Sequence, residues 1–114
     1  MKITKILTGF LLILTFVMLT VTSPVKADDL SNGAKIFNLQ CAGCHGGGGN
    51  IIRRGKTLKK KALDRNGYDT LEAISYLVSQ GKANMPAYKE RLTPKEIQDV
   101  SEYVMKQAEK NWQS

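Results

Sequence analysis

The chain is short of the residues that carry most enzyme chemistry. One histidine, His45, and two cysteines, Cys41 and Cys44, are all that its 114 residues contain of those two types. Once His45 is used, nothing is left for general acid–base work, and no nucleophile stands with a base beside it. No stretch alternates apolar and polar residues, so strands are not expected. A redox CxxC of the thioredoxin kind needs strands around it and finds none. Repeats and a second domain are also absent. The longest apolar run, Ile6 to Val21, is broken by Thr8, Gly9, Thr15 and Thr20. It falls short of the roughly 20 residues that a spanning helix needs.

What is present is concentrated. Both cysteines and the histidine fall within Cys41-Ala42-Gly43-Cys44-His45, the pattern of a covalent c-type haem attachment. Two thiols three positions apart lie about one helical turn apart. That spacing suits thioethers to the two vinyl groups on one porphyrin edge, and the adjacent imidazole can then ligate the iron. A disulfide within this motif would close only a tiny loop and stabilise little.

The N-terminus has the form of an export signal. Lys2 and Lys5 precede the apolar run, Ser23-Pro24 breaks it, and Val25-Lys26-Ala27 ends in a small residue. Residues 1–27 are therefore expected to be a cleaved signal and residues 28–114 the mature domain. Cleavage removes three lysines, so the formal charge falls from +7 to +4, with 14 basic and 10 acidic residues left. The 87 residues that remain are near the lower limit for a self-sufficient apolar core. A covalent haem would become the centre of that core, coupling folding to its attachment.

The mature part reads as all-α, about four helices around the haem. Leu30, Ala34, Phe37, Cys41 and Cys44 form the stripe of a first helix that leads into the motif, with Asp28 and Asp29 at its positive end. Gly46 to Gly49 stops it. Thr57 to Arg65 reads as a short helix closed by Asn66-Gly67. Asp69 to Gln80 is a third, with Asp69 and Glu72 as a capping pair, Gly81 beyond its end, and a stripe of Leu71, Ile74, Leu77 and Val78. The last has Thr93 as N-cap, Pro94 at N1 and Glu96 at N3, with Ile97, Val100, Val104 and Ala108 facing inward beside Tyr103.

A second axial ligand to the iron cannot be a histidine, since no second one exists, and a thioether is the next candidate. Outside the signal only Met85 and Met105 qualify. Met105 lies within the last helix and suits core packing. Met85 lies in the loop segment Asn84-Met85-Pro86, where proline holds its predecessor extended. Ligation by His45 and Met85 fills both axial positions, leaving outer-sphere electron transfer as the available chemistry.

Several stretches together resemble a class I cytochrome c, and within that class cytochrome c6 of cyanobacteria and algae. They are Gly33-Ala34-Lys35-Ile36-Phe37-Asn38, Cys41-Ala42-Gly43-Cys44-His45, Lys56-Thr57-Leu58, Asn84-Met85-Pro86-Ala87-Tyr88 and the ending at Trp112. The resemblance implies that the first and last helices cross near Gly33, Phe37 and Tyr103. It implies one haem c and an electron shuttle in the thylakoid lumen, between the cytochrome b6-f complex and photosystem I. Arg91 matches the family's docking arginine, six residues after the axial methionine.

The chain departs from the family pattern in three places. Leu77 stands where the photosynthetic members usually carry a glutamine beside the haem, as in lower-potential relatives. Lys89-Glu90 replaces two small residues, and Arg54-Gly55 stands where an acidic residue is common. The departure at Leu77 leaves room for a paralogue that senses redox state or feeds another acceptor, such as a lumenal terminal oxidase.

A basic segment completes the inventory. Arg53, Arg54, Lys56, Lys59, Lys60, Lys61 and Arg65 put seven positive charges into 13 residues, opposed only by Asp64. This is either a solvated helix face or a patch that steers the chain to an acidic docking surface. Nucleic acid is a poor candidate partner, because export separates the chain from it, and no embedded segment is expected after processing.

Overall fold

In the computed structural model, residues 26–114 are described; the apolar run expected to serve as an export signal lies outside them. Five helices follow in order: α1 (Ala27–Gln40), α2 (Ala42–His45), α3 (Lys60–Asn66), α4 (Leu71–Gln80) and α5 (Pro94–Glu109). Short 3-10 turns at Gly46–Gly48 and Arg54–Lys56 lie between α2 and α3. Among the described residues there is no strand, only an isolated antiparallel bridge between Lys82 and Met85. No helix among them is long and apolar enough to cross a membrane.

The expected helices form, with their ends adjusted by local hydrogen bonding. The first does not run unbroken through the motif. Cys41 departs from helical geometry (φ −119°, ψ −35°), and its carbonyl starts α2 by accepting from the His45 amide at 2.9 Å. The helix expected from Thr57 begins only at Lys60, because the Leu58 amide donates instead to the Gly48 carbonyl at 2.8 Å. Its end at Asn66-Gly67 is as expected, with Gly67 left-handed at φ 79°. In α4 the N-cap is Thr70, not Asp69: the Thr70 hydroxyl accepts from the Ala73 amide at 3.1 Å. Thr93 caps α5 as its sequence predicts, accepting from the Glu96 amide at 3.2 Å.

Helices α1 and α5 cross at Gly33. A Cβ there would overlap the Asp99 carbonyl and stand 2.8 Å from Tyr103 Cβ, so only glycine lets the backbones approach this closely. Beside the contact, Asn32 Nδ2 donates to buried Asp99 Oδ2 at 2.8 Å. Lys95 Nζ pairs with the other Asp99 oxygen and with Asp29 Oδ1 at 2.9 Å. These partners satisfy a carboxylate that would be costly to bury alone, and the Asp99 and Asp29 carboxylates in turn raise the Lys95 pKa above its ordinary value. On the other side Phe37 packs against Tyr103, ring centroids 5.4 Å apart, as the resemblance implied.

The apolar core gathers around this crossing. Ile36 and Phe37 of α1 meet Ile97, Val100 and Val104 of α5, with Ile74 and Val78 of α4 completing it. Full burial of such side chains stabilises by about 1.5–3 kcal/mol each. On α1 the buried positions are Gly33, Ile36 and Phe37, whereas Leu30 and Ala34 are half-exposed. The inner face is thus rotated from the expected stripe, because the close approach at Gly33 decides which side of α1 turns inward.

Substitution of Gly33 by Ala tests the crossing. Alanine gains about 1 kcal/mol of helix propensity, but overlap with an immovable backbone carbonyl outweighs it. A net loss of about 2 kcal/mol is expected in denaturant unfolding of the holoprotein. An unchanged midpoint would show that the helices are free to separate.

Candidate functional site

A cleft opens to solvent beside the crossing. Its walls are largely apolar: Phe37, Leu58, Leu63, Leu77, Val78, Val100 and Val104 line it. Cys41, Cys44, His45 and Met85, which lie far apart in type and partly in sequence, all line this one cleft. Met105 does not. It packs against the core and borders a separate small cavity between α3 and α5, in keeping with a packing role.

His45 is held in a defined state. Its Nδ1 lies 2.7 Å from the Gly49 carbonyl oxygen. A carbonyl only accepts, so Nδ1 carries the hydrogen and Nε2 keeps its lone pair free for a metal. The glycine tract was expected only to end a helix; it also builds this acceptor. Gly46–Gly48 forms a 3-10 turn in which Gly47 and Gly48 adopt φ 62° and 78°, and the turn brings the Gly49 carbonyl back to the ring. Asn50 then organises the next loop, its Oδ1 accepting from the amides of Ile52 at 2.9 Å and Arg53 at 2.8 Å.

The two thiols differ in setting. Cys44 is exposed and Cys41 half-buried. Burial pushes the Cys41 thiol up to about 11, so it is protonated at neutral pH and is a poor thiolate nucleophile.

Met85 is presented by a folded loop. The Lys82 amide donates to the Met85 carbonyl and the Met85 amide to the Lys82 carbonyl, each at 3.0 Å. The loop folds back over Gly81 (φ 69°), where a Cβ would come within 2.7 Å of the Met85 carbonyl oxygen and the Ala87 nitrogen. Tyr88 anchors its far end. The Tyr88 amide donates to the Val78 carbonyl at 3.0 Å, and its hydroxyl donates to the Gln40 carbonyl at 2.9 Å, one residue before Cys41. Burial raises the phenol's pKa above its ordinary value. Pro86 signalled the extended backbone; the parts played by Gly81 and Tyr88 were not legible from local sequence.

The basic segment is divided rather than a single helix face. Arg53 and Lys56 line the cleft, whereas Lys60, Lys61 and Arg65 belong to α3. Lys60 pairs with Asp64 at 3.1 Å and Arg65 donates to the Gly55 carbonyl at 3.1 Å. Arg91 is exposed, its guanidinium carbon 5.5 Å from the centroid of the Tyr88 ring.

A haem fits this donor set. Two thiols and an imidazole with a free Nε2 come from one segment, a thioether from another, and the space between is apolar. Residues 28–104 match the family described as cytochrome c oxidase, cbb3-type, subunit III. A cytochrome c6-like protein from Nostoc sp. (strain PCC 7120 / SAG 25.82 / UTEX 2576) is 55% identical over 104 residues, covering 90% of this chain and 94% of that protein. The chain belongs to the cytochrome c6 family.

Other members agree. Cytochrome c6 from Synechococcus sp. (strain ATCC 27167 / PCC 6312) is 46% identical over 104 residues, 90% of this chain and 93% of that one. The crystal structure of cytochrome c6C from Synechococcus sp. PCC 7002 superposes with a TM-score of 0.70 at 57% identity, covering 71% of this chain and 99% of that one. The class I cytochrome c fold follows. As a cytochrome c6 family member the chain holds a covalently bound haem c and is an electron carrier.

Exchanging the two methionines separates their roles. Met85→Ala is expected to lower the reduction potential, abolish the methionine–iron charge-transfer band and open the iron to small ligands. Met105→Ala is expected to leave the visible spectrum intact. An unchanged spectrum in Met85→Ala would remove it as the ligand.

Proposed function

We propose that this cytochrome c6 family member shuttles single electrons in the thylakoid lumen, from the cytochrome b6-f complex to photosystem I, with residues 1–27 removed on export. Cys41 and Cys44 would hold the haem through thioethers, and His45 Nε2 and the Met85 sulfur would ligate its iron. The haem so held supplies a one-electron couple. The observation that carries this reading is the convergence of His45, in the tautomer with Nε2 free, and Met85 on a single apolar cleft.

The residues of the chain account for the chemistry and its limits. With His45 and Met85 on the iron, no coordination position is left for oxygen, peroxide or substrate. The Gly49 carbonyl keeps the imidazole oriented and makes it a stronger donor. Apolar walls exclude water, so little reorganisation accompanies a change of charge. Arg53 and Lys56 at the cleft, with Arg91 stacked on Tyr88, supply positive charge where a partner would approach. Such charge raises encounter rate more than affinity, which suits a carrier that must leave.

A second reading is favoured by Leu77, which lines the cleft. An apolar side chain there, where photosynthetic members usually place an amide, removes a polar neighbour of the haem. The chain would then be a low-potential paralogue, sensing redox state or feeding another acceptor such as a lumenal terminal oxidase.

Redox titration of the purified holoprotein, followed by flash-induced reduction of photosystem I, decides between them. The photosynthetic shuttle predicts a potential near that of the b6-f donor. It also predicts rapid reduction that slows as ionic strength shortens the Debye length to about 10 Å at 0.1 M. A potential well below the donor's, with no reduction of photosystem I, would assign the paralogue role.

A further inference from the structure

Trp112 lies 67 positions from His45 in sequence, yet it packs directly on the turn that orients the imidazole. A Cβ at Gly48 would overlap the indole ring, so the residue before Gly49 is held under the tryptophan with no side chain between. The indole Nε1 donates to the Leu58 carbonyl at 2.9 Å. The Leu58 amide in turn donates to the Gly48 carbonyl at 2.8 Å. Gly49 then accepts from His45 Nδ1 at 2.7 Å. The indole is fixed from behind by Phe37, with ring centroids 5.1 Å apart, and by an edge-on contact with Tyr103 at 6.1 Å.

We infer that Trp112 is a positioning residue for the axial histidine, acting through Leu58 and the Gly48-Gly49 turn. The inference rests on the ligation proposed above for His45. Gly47 and Gly48 both occupy the left-handed region, where glycine has unusual freedom. A run of four glycines, Gly46 to Gly49, would leave the acceptor carbonyl poorly placed if nothing covered it. The C-terminal indole supplies the cover and a hydrogen bond on the far side of the turn. Because the Gly49 hydrogen bond makes the imidazole a better donor to iron, loosening the turn weakens that donation. The ferric state is then less favoured, and the reduction potential rises.

The test uses the holoprotein with Trp112→Phe, which keeps a ring but loses the N–H, and Trp112→Leu, which loses both. Lys95→Met is the control, since it weakens the α1–α5 contact at the other end of the helices. Exchange of the His45 Nδ1 proton is followed by NMR, with the reduction potential measured in parallel. Trp112→Phe is expected to speed exchange about fivefold, the factor set by one net hydrogen bond. Trp112→Leu should speed it further, and both variants should raise the potential. Lys95→Met should lower thermal stability and move neither quantity. If both Trp112 variants lose stability with exchange and potential unchanged, or if Lys95→Met moves them equally, the inference falls and Trp112 is only a packing residue. If the wild-type His45 ring shows no haem-induced shift, the proposed ligation falls as well.

Discussion

The backbone contact of α1 with α5 at Gly33 is the constraint on which the other features depend. It lets α1 run directly across α5, so that the chain leaving α1 at Gln40 arrives at the cleft with Cys41, Cys44 and His45 in quick succession. The same contact places Val100 and Val104, the residues that directly follow Asp99 and Tyr103 on α5, in the cleft wall. A larger residue at position 33 would push the helices apart and move the thiols away from that wall. Asn32, Asp99 and Lys95 hold one side of the contact by polar links, and Phe37 with Tyr103 holds the other by aromatic packing.

From this frame two loops reach in from different directions, each made possible by glycine. The Gly46–Gly49 turn brings an acceptor carbonyl to His45, and Gly81 allows the Met85 loop to fold back on itself. Each loop is tied to a distant part of the chain: the first by Trp112, and the second by the Tyr88 hydroxyl, which donates to the Gln40 carbonyl. The division explains how fewer than 90 residues can present a thioether and an imidazole to one cleft. Helices supply the walls, and short loops under long-range restraint supply the donors.

Much of this was legible in the sequence, for physical reasons that differ from element to element. The signal for α5 was strong because Thr93, Pro94 and Glu96 each satisfy a separate requirement of a helix start, and its buried residues keep helical spacing. The haem motif was legible because attachment needs those residue types at that spacing. Local sequence failed where a distant partner decides the outcome. Leu58 leaves its helix for the Gly48 carbonyl, which periodicity cannot anticipate. The cap of α4 is a local exception: both Asp69 and Thr70 are capping types, and it is the Thr70 hydroxyl that reaches the Ala73 amide. Gly49 as an acceptor and Trp112 as a clamp depend on contacts across the fold, and nothing near either residue announces them. The steering role of the basic segment is undecided by sequence for a related reason: its charges divide between cleft and helix only once the loop from Asn50 to Lys56 is folded.

The central proposal is that His45 and Met85 together close the iron, which suits an electron carrier. The most direct measurement is the rate at which cyanide binds the ferric holoprotein at neutral pH. Slow binding, independent of cyanide at high concentration because loss of Met85 limits it, is the predicted result. Rapid binding proportional to cyanide, as at an iron with an open position, would contradict the account.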